Sequence, residues 1–183
     1  GVRHVYVGSV DPNPKHHGRG FTLLRRAGIQ VHSGFLAEDV AEQNKGFFSV
    51  MTRKRPFVML KMAQSLDGKI ATITGQSRWI TSEMTRNFVH GLRSEVDGIK
   101  VGTRTVLQDN PRLSARIGRH HSHPARIVLD RTLRLGARVN VFRNDGAKVY
   151  LITSKKSVLK AGRKWKARVH VLGVREKHGR LDL

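Results

Sequence analysis

The stretch SLDGKIATITGQSRWIT, Ser65 to Thr81, gathers hydroxyls, two glycines and one of the chain's two tryptophans. Two Gly-containing turns flank a short β-branched run, and residues held this close by tight turns suit a binding mouth. Further along, Arg93 falls on the margin of the apolar stripe of a predicted helix, where a guanidinium is partly sheltered yet able to reach an anion. An ordinary snorkelling arginine fits that position equally. The junction VGTRT sets Gly102, Thr103 and Thr105 where a strand opens into a helix, so that backbone N–H groups and the helix dipole attract phosphate, a pattern shared by many joints in parallel sheets. Histidines cluster at HHSH, 120–123, and at His16 and His17. Both clusters lie in predicted loops without cysteine partners, so they read as solvated loop histidines, and no metal site is predicted.

The composition narrows the chemistry further. None of the 183 residues is cysteine, which removes disulfides, thiolate zinc sites and thiol catalysis, and fits a reducing, cytoplasmic setting. No GxGxxG or Walker loop occurs. No apolar run approaches the roughly 20 residues that span a bilayer, so no membrane partner is expected. Lys and Arg number 35 against 13 Asp and Glu, a formal charge of +22 that favours polyanions and phosphorylated small molecules.

The elements that must position these residues read as α/β throughout. Val2–Gly8 is a predicted buried strand, Phe21 to Ala27 a helix stopped by Gly28, and IQV a second strand, which together make the β-α-β grammar of a parallel sheet. Ala37 to Phe48 reads as a further helix. TRKRP, from Thr52 to Pro56, is the candidate linker. PFVMLKMAQS follows with the nearly unbroken apolar run of a strand covered on both faces, although Lys61 in its middle fits an edge strand with the amine turned to water at least as well as a buried functional amine. Ser82 caps a helix with Glu83 in its first turn and a buried stripe of Met84, Phe88, Val89, Leu92 and Val96. DGIKVG, ARIVLD, KVYLITS and RVHVLGV are strands, TRTVLQD is a short helix, NPRLSAR a loop, and SVLKAGRKWKA a basic helical linker.

In the second segment, FVMLKMAQSLDGKIATITGQSRWIT, then LRSEVDGIKVGTRTVLQDNPRLSAR, then RIVLD, closely resembles the reductase domain of the bifunctional pyrimidine deaminase/reductase of the riboflavin pathway, the RibD or RibG family. The first segment, DPNPKHHGRGFTLLRRAGIQVHSGFLAEDVAEQNKGFF, looks like the tail of that family's deaminase domain. The resemblance implies a dihydrofolate-reductase-like α/β reductase domain over 56–183, preceded over 1–52 by the end of a cytidine-deaminase-like α/β domain. It also implies NADPH-dependent reduction of the ribosyl side chain of 5-amino-6-(5-phosphoribosylamino)uracil to the ribityl form. By position Ala63, Trp79, Thr105 and Asp109 match the family's cofactor contacts, with Thr81 added by adjacency. Ser77, Arg93, Leu113 and Arg116 match its substrate contacts. No catalytic acid or base is assigned, because hydride transfer asks the protein chiefly to position the reactants and exclude water.

The family's zinc ligands would fall before Gly1 and its Gly-rich cofactor loop beyond Leu183. The chain is therefore expected to be a fragment without deaminase activity, its open sheet edge and apolar face favouring self-association into a homo-oligomer. A competing expectation is a basic nucleic-acid binder without catalysis, in which Trp165 of KKSVLKAGRKWKAR stacks on a base.

Overall fold

In the computed structural model, which describes residues 1–116, 123–161, 165 and 169–183, the chain divides into two units, Gly1–Met62 and Ala63–Leu183. The first unit opens with β1 (His4–Val7), α1 (Arg19–Arg26) and β2 (Gln30–Ser33), the two strands pairing in parallel with His4 opposite Gln30 and Val7 opposite Ser33. Gly28 closes α1 at φ 77°, a left-handed conformation that glycine adopts without a Cβ clash. The strand expected to be buried instead alternates between exposed and half-buried residues, because a two-stranded sheet leaves little to cover it. The helix expected over Ala37 to Phe48 is two helices, α2 (Ala37–Gln43) and α3 (Lys45–Arg53). They part at Asn44, whose Nδ2 donates to Val40 O at 2.9 Å, a local side-chain bond that competes with the backbone ladder. Helix α3 runs through Thr52 and Arg53, so the expected linker begins inside a helix and leaves it at Lys54.

The predicted strand PFVMLKMAQS is not one. Residues 56–65 carry no helix or strand, and Val58 and Leu60 are 70% and 82% exposed. A strand exists only through its ladder partners, and none of the described residues pairs with this run.

In the second unit, α4 (Glu83–Ser94) leads to β3 (Gly98–Gly102) and α5 (Thr103–Asp109). Then come β4 (Ala125–Leu129), a 3-10 turn at Asn140–Phe142, β5 (Val149–Ser154), α6 (Lys155–Ala161) and β6 (Val169–Val174). A short hairpin of β7 (Glu176–Lys177) and β8 (Arg180–Leu181) follows. Strands β3, β4, β5 and β6 form one parallel sheet in sequence order, so each crossover returns the chain to the adjacent position. The β-branched runs RIVL and VYLITS supply the inner strands, and the core gathers Val106, Leu113, Val128, Leu135, Val141, Phe142, Val149 and Leu151. Trp165 belongs to this core, its ring 4.7 Å edge-on from Phe142, and at 6% exposure it cannot offer a face to a nucleic-acid base. The basic residues around it, 162–164 and 166–168, lie outside the described residues.

Helix α4 departs from expectation in one respect. Ser82 caps it as predicted, its Oγ accepting from Thr85 N–H at 3.3 Å. The stripe is not buried, however: Met84 and Phe88 are 80% and 66% exposed and no residue of α4 is fully enclosed. Periodicity marks which face is apolar, whereas burial requires a neighbour packed on it. No described helix is long and apolar enough to cross a membrane.

Candidate functional site

Two tight turns lead into the site. Ser65 N–H donates to Lys69 O and Gly68 N–H to Ser65 O, both at 2.9 Å, while Lys69 N–H reaches Ser65 Oγ at 3.0 Å. The next turn repeats the pattern: Thr72 N–H to Gln76 O and Gly75 N–H to Thr72 O at 2.9 Å, and Gln76 N–H to Thr72 Oγ1 at 3.0 Å. In each, a hydroxyl residue sits three positions before a glycine at positive φ, 78° at Gly68 and 83° at Gly75. The hydroxyl stands in for a backbone acceptor and glycine takes the left-handed corner, which is why SLDGK and TITGQ fold alike.

The second turn delivers Ser77, half-buried, and Trp79, 71% exposed, through a cis Arg78–Trp79 peptide bond. The Arg86 guanidinium of α4 lies over the Trp79 ring at 4.4 Å and its Nη1 donates to Thr81 O at 2.7 Å, so one helical arginine braces both residues. Arg78 Nη2 donates to Asp109 O at 2.7 Å, joining this turn to the C-terminal end of α5. The Asp109 carboxylate takes part in no ion pair among the described residues. Trp79, Thr81 and Asp109 are thus linked through arginines that the sequence reading did not single out.

A second group forms around the loop after α5. Asn110 takes a left-handed conformation at φ 41°, which its short polar side chain tolerates, and accepts two bonds from Asn140: Asn140 N–H to Asn110 Oδ1 at 2.7 Å and Asn140 Nδ2–H to Asn110 O at 2.8 Å. Leu113 follows at φ 56°, unfavourable for a side chain with a Cβ, and is held there by burial among Val106 and its neighbours. The predicted substrate residue Leu113 is therefore a core residue, 6% exposed. Its loop presents Ser114 O to Arg93 Nη1 at 3.4 Å and brings Arg116 to His90 of α4.

Electrostatically the group is one-signed. Burial first, then the Arg116 charge, lowers the Arg93 pKa from its ordinary value. His90 is lowered as well, by burial foremost and then by Arg93 and Arg116, with the Ser114 carbonyl pulling the other way. Neither arginine is ion-paired among the described residues. His90 could have been noticed from sequence by its position one helical turn before Arg93.

The other predicted residues are less engaged. Ala63 is half-buried and Thr105 exposed. At the VGTRT joint the Thr103 hydroxyl turns inward, to Leu129 O at 2.8 Å and to the Asp130 carboxylate at 3.2 Å, so it secures the sheet end. Concavities of about 310 Å³, at Ser154 to Lys156 and Val174 to Glu176, and about 260 Å³, between α2, α3 and Phe57, are lined by none of the nine predicted site residues. Among the described residues no group of three or more His, Asp or Glu could hold a metal ion. Of the HHSH cluster, 120–122 lie outside the described residues.

A protein-family model described as the RibD C-terminal domain matches residues 56–183. The riboflavin biosynthesis protein RibD of Aquifex aeolicus is 41% identical over 157 residues, covering 86% of this chain and 44% of that protein. The RibD protein of Bacillus amyloliquefaciens is 38% identical over 175 residues, covering 96% and 46%. The chain spans about half the length of these curated relatives. Among solved structures, a diaminohydroxyphosphoribosylaminopyrimidine deaminase/5-amino-6-(5-phosphoribosylamino)uracil reductase from Thermotoga maritima superimposes with a TM-score of 0.78 at 36% identity, over 95% of this chain and 54% of that one. The expected α/β class with a parallel, dihydrofolate-reductase-like sheet agrees with that likeness.

Proposed function

The chain belongs to the RibD C-terminal domain family over residues 56–183, and from that premise we propose that it carries an NADPH-dependent reductase of riboflavin biosynthesis, acting on 5-amino-6-(5-phosphoribosylamino)uracil. The observation that carries this reading is the Arg78 bond to Asp109 O at 2.7 Å, which joins two stretches otherwise far apart in sequence, each bearing a residue matched to the family's cofactor contacts. Trp79 and Thr81 come from one stretch, Asp109 from the other.

The residues fit a phosphorylated dinucleotide in their chemistry. An exposed indole braced by a cation on one face suits a planar ring on the other. Thr81 and Thr105 offer hydroxyls, Ala63 is small enough to permit close approach, and Asp109 retains a carboxylate free of ion pairs among the described residues. When bound, the cofactor supplies the hydride. The chain's own residues then position: Arg93 and Arg116 take the substrate phosphate through charge-assisted bonds, Ser77 orients its polar groups, and Leu113 sets the loop that carries Arg116.

Residues 1–52 are proposed to correspond to the end of the deaminase half of such proteins. In support, similarity to the Bacillus amyloliquefaciens protein extends over 96% of the chain, whereas the family model covers only 56–183. A phosphorylated pyrimidine is then the partner of the reductase half.

Titration with NADPH tests the reading. Buried Trp165 serves as an internal reference, so the expected result is saturable quenching of a Trp79 component, absent in Trp79→Phe and weakened in Asp109→Ala. Quenching identical in wild type and Trp79→Phe, or no response to NADPH, would overturn it.

A further inference from the structure

His90 projects from α4 three residues before Arg93 and meets Arg116 twice: its Nδ1 lies 3.2 Å from the Arg116 backbone N, and its Nε2 lies 3.2 Å from Arg116 Nη2. Both Arg116 atoms are obligate donors, because a backbone N–H and a guanidinium have no acceptor capacity. A neutral imidazole has one acceptor and one donor nitrogen, so it satisfies one of these contacts and opposes the other. The backbone N–H is fixed by the chain, whereas the exposed Arg116 side chain can swing. Nδ1 is therefore the acceptor, and the proton resides on Nε2.

That assignment leaves a specific gap. Nε2–H of His90 and Nη2–H of Arg116 then face each other at 3.2 Å, and the acceptor that bears on the imidazole is the Ser114 carbonyl, which Arg93 Nη1 already shares. The groups that bear on His90 are Arg93 of its own helix and, from the loop, Arg116 and the Ser114 carbonyl, whose oxygen also receives Arg93 Nη1. No described carboxylate pairs with either guanidinium. Donors of three side chains thus converge where one carbonyl and no described carboxylate receives them, which suits an anionic oxygen, and a tetrahedral phosphate monoester offers several.

We infer that His90 is the third donor and the organiser of the substrate-phosphate site: Nδ1 fixes the backbone at Arg116, and Nε2–H closes with Arg116 Nη2–H on one phosphate oxygen while Arg93 takes another. This rests on the reductase reading above and deepens it, naming the phosphate as the group His90 recognises. Burial, then the two flanking guanidinium charges, lowers the His90 pKa against the opposing pull of Ser114, which is the direction that favours the neutral ring whose Nδ1 accepts.

The ring tautomer is measured directly by two-bond nitrogen–proton correlations of His90 in the whole protein. The expected pattern is Nε2–H at neutral pH, with the Nε2 proton shifting on addition of ribose 5-phosphate and not of ribose. An Nδ1–H or doubly protonated ring at neutral pH would overturn the inference. Calorimetric binding of ribose 5-phosphate supplies the second measurement. His90→Phe, with folding checked by circular dichroism, is expected to weaken binding about tenfold, the worth of about one charge-assisted bond. NADPH affinity should stay unchanged. His90→Asn, whose carbonyl replaces Nδ1 as acceptor, should recover part of the loss. If His90→Phe binds like wild type while Arg93→Ala and Arg116→Ala lose the phosphate, the role of His90 falls and the substrate-site reading stands. If both arginine variants also bind like wild type, or the wild type binds ribose 5-phosphate no better than ribose, the substrate-site reading falls with it.

Discussion

Replacing Asp145 with Asn strands a charge in the core of the second unit. Arg126 is fully buried on β4; its Nη2 meets Asp145 Oδ2 at 2.5 Å, and its Nη1 donates to Val141 O at 3.3 Å and Arg143 O at 3.4 Å. Breaking a buried ion pair by removing one partner costs about 3–5 kcal/mol. The Asp145 side chain is 33% exposed and two carbonyls would still receive the guanidinium, so water and dipoles soften the loss to about 2–3 kcal/mol. With a urea slope of about 2 kcal/mol per molar, the midpoint should fall by about 1 M. Emission from Trp165, packed on Phe142 in the same core, reports that transition, measured in a Trp79→Phe background. The pair also predicts an acid limb. Burial raises the Asp145 carboxyl, but the bond and charge of Arg126, helped by Ala147 N–H and His123, outweigh it and hold the folded value below 3.8. The unfolded chain then binds the proton first. Stability is full above the ordinary carboxylate value and fades as pH drops below it toward the folded one. Asp145→Asn should lose that share of the acid dependence, and Arg126→Met with Asp145→Asn should regain most of the midpoint, since the buried charge is gone. An unchanged midpoint in Asp145→Asn would refute the reasoning.

Two further substitutions test local packing. In Gly8→Ala the new Cβ would lie 2.3 Å from Val40 Cγ2 and 3.1 Å from Phe35 O; Val40 is β-branched and cannot swing clear, so about 1–3 kcal/mol is lost. Amide exchange of Gly34, which donates to Val7 O, should accelerate at least about tenfold, and unchanged exchange would show that the helix side yields instead. Ser82→Ala removes the acceptor for Thr85 N–H and should cost about 1 kcal/mol, read as faster exchange at Thr85, whereas Ser82→Asp should retain protection.

Much of the fold was legible because its determinants are near neighbours in the chain. The β-branched runs became β4 and β5, Ser82 capped α4, Gly28 closed α1, and the hydroxyl-to-glycine spacing made both turns before Trp79. The site residues were nameable only because their motifs resemble a family; periodicity alone left Arg93 as readily a snorkelling arginine. What escaped were properties that depend on a partner remote in sequence. PFVMLKMAQS has the composition of a covered strand, yet a ladder needs a second strand. Met84 and Phe88 have the spacing of a buried stripe, yet remain exposed.

The sequence by itself determined the strands and helices from α4 to β6, the turn chemistry before Trp79 and the apolar faces, since each follows from steric and hydrogen-bonding preferences within a few residues. Tertiary structure alone decided that Arg126 is buried against Asp145, that Trp165 fills the core, and that Arg78 reaches Asp109 across 31 positions and His90 reaches Arg116 across 26. Those outcomes depend on which distant surfaces meet, and a buried charge or a converging set of donors exists only once they do.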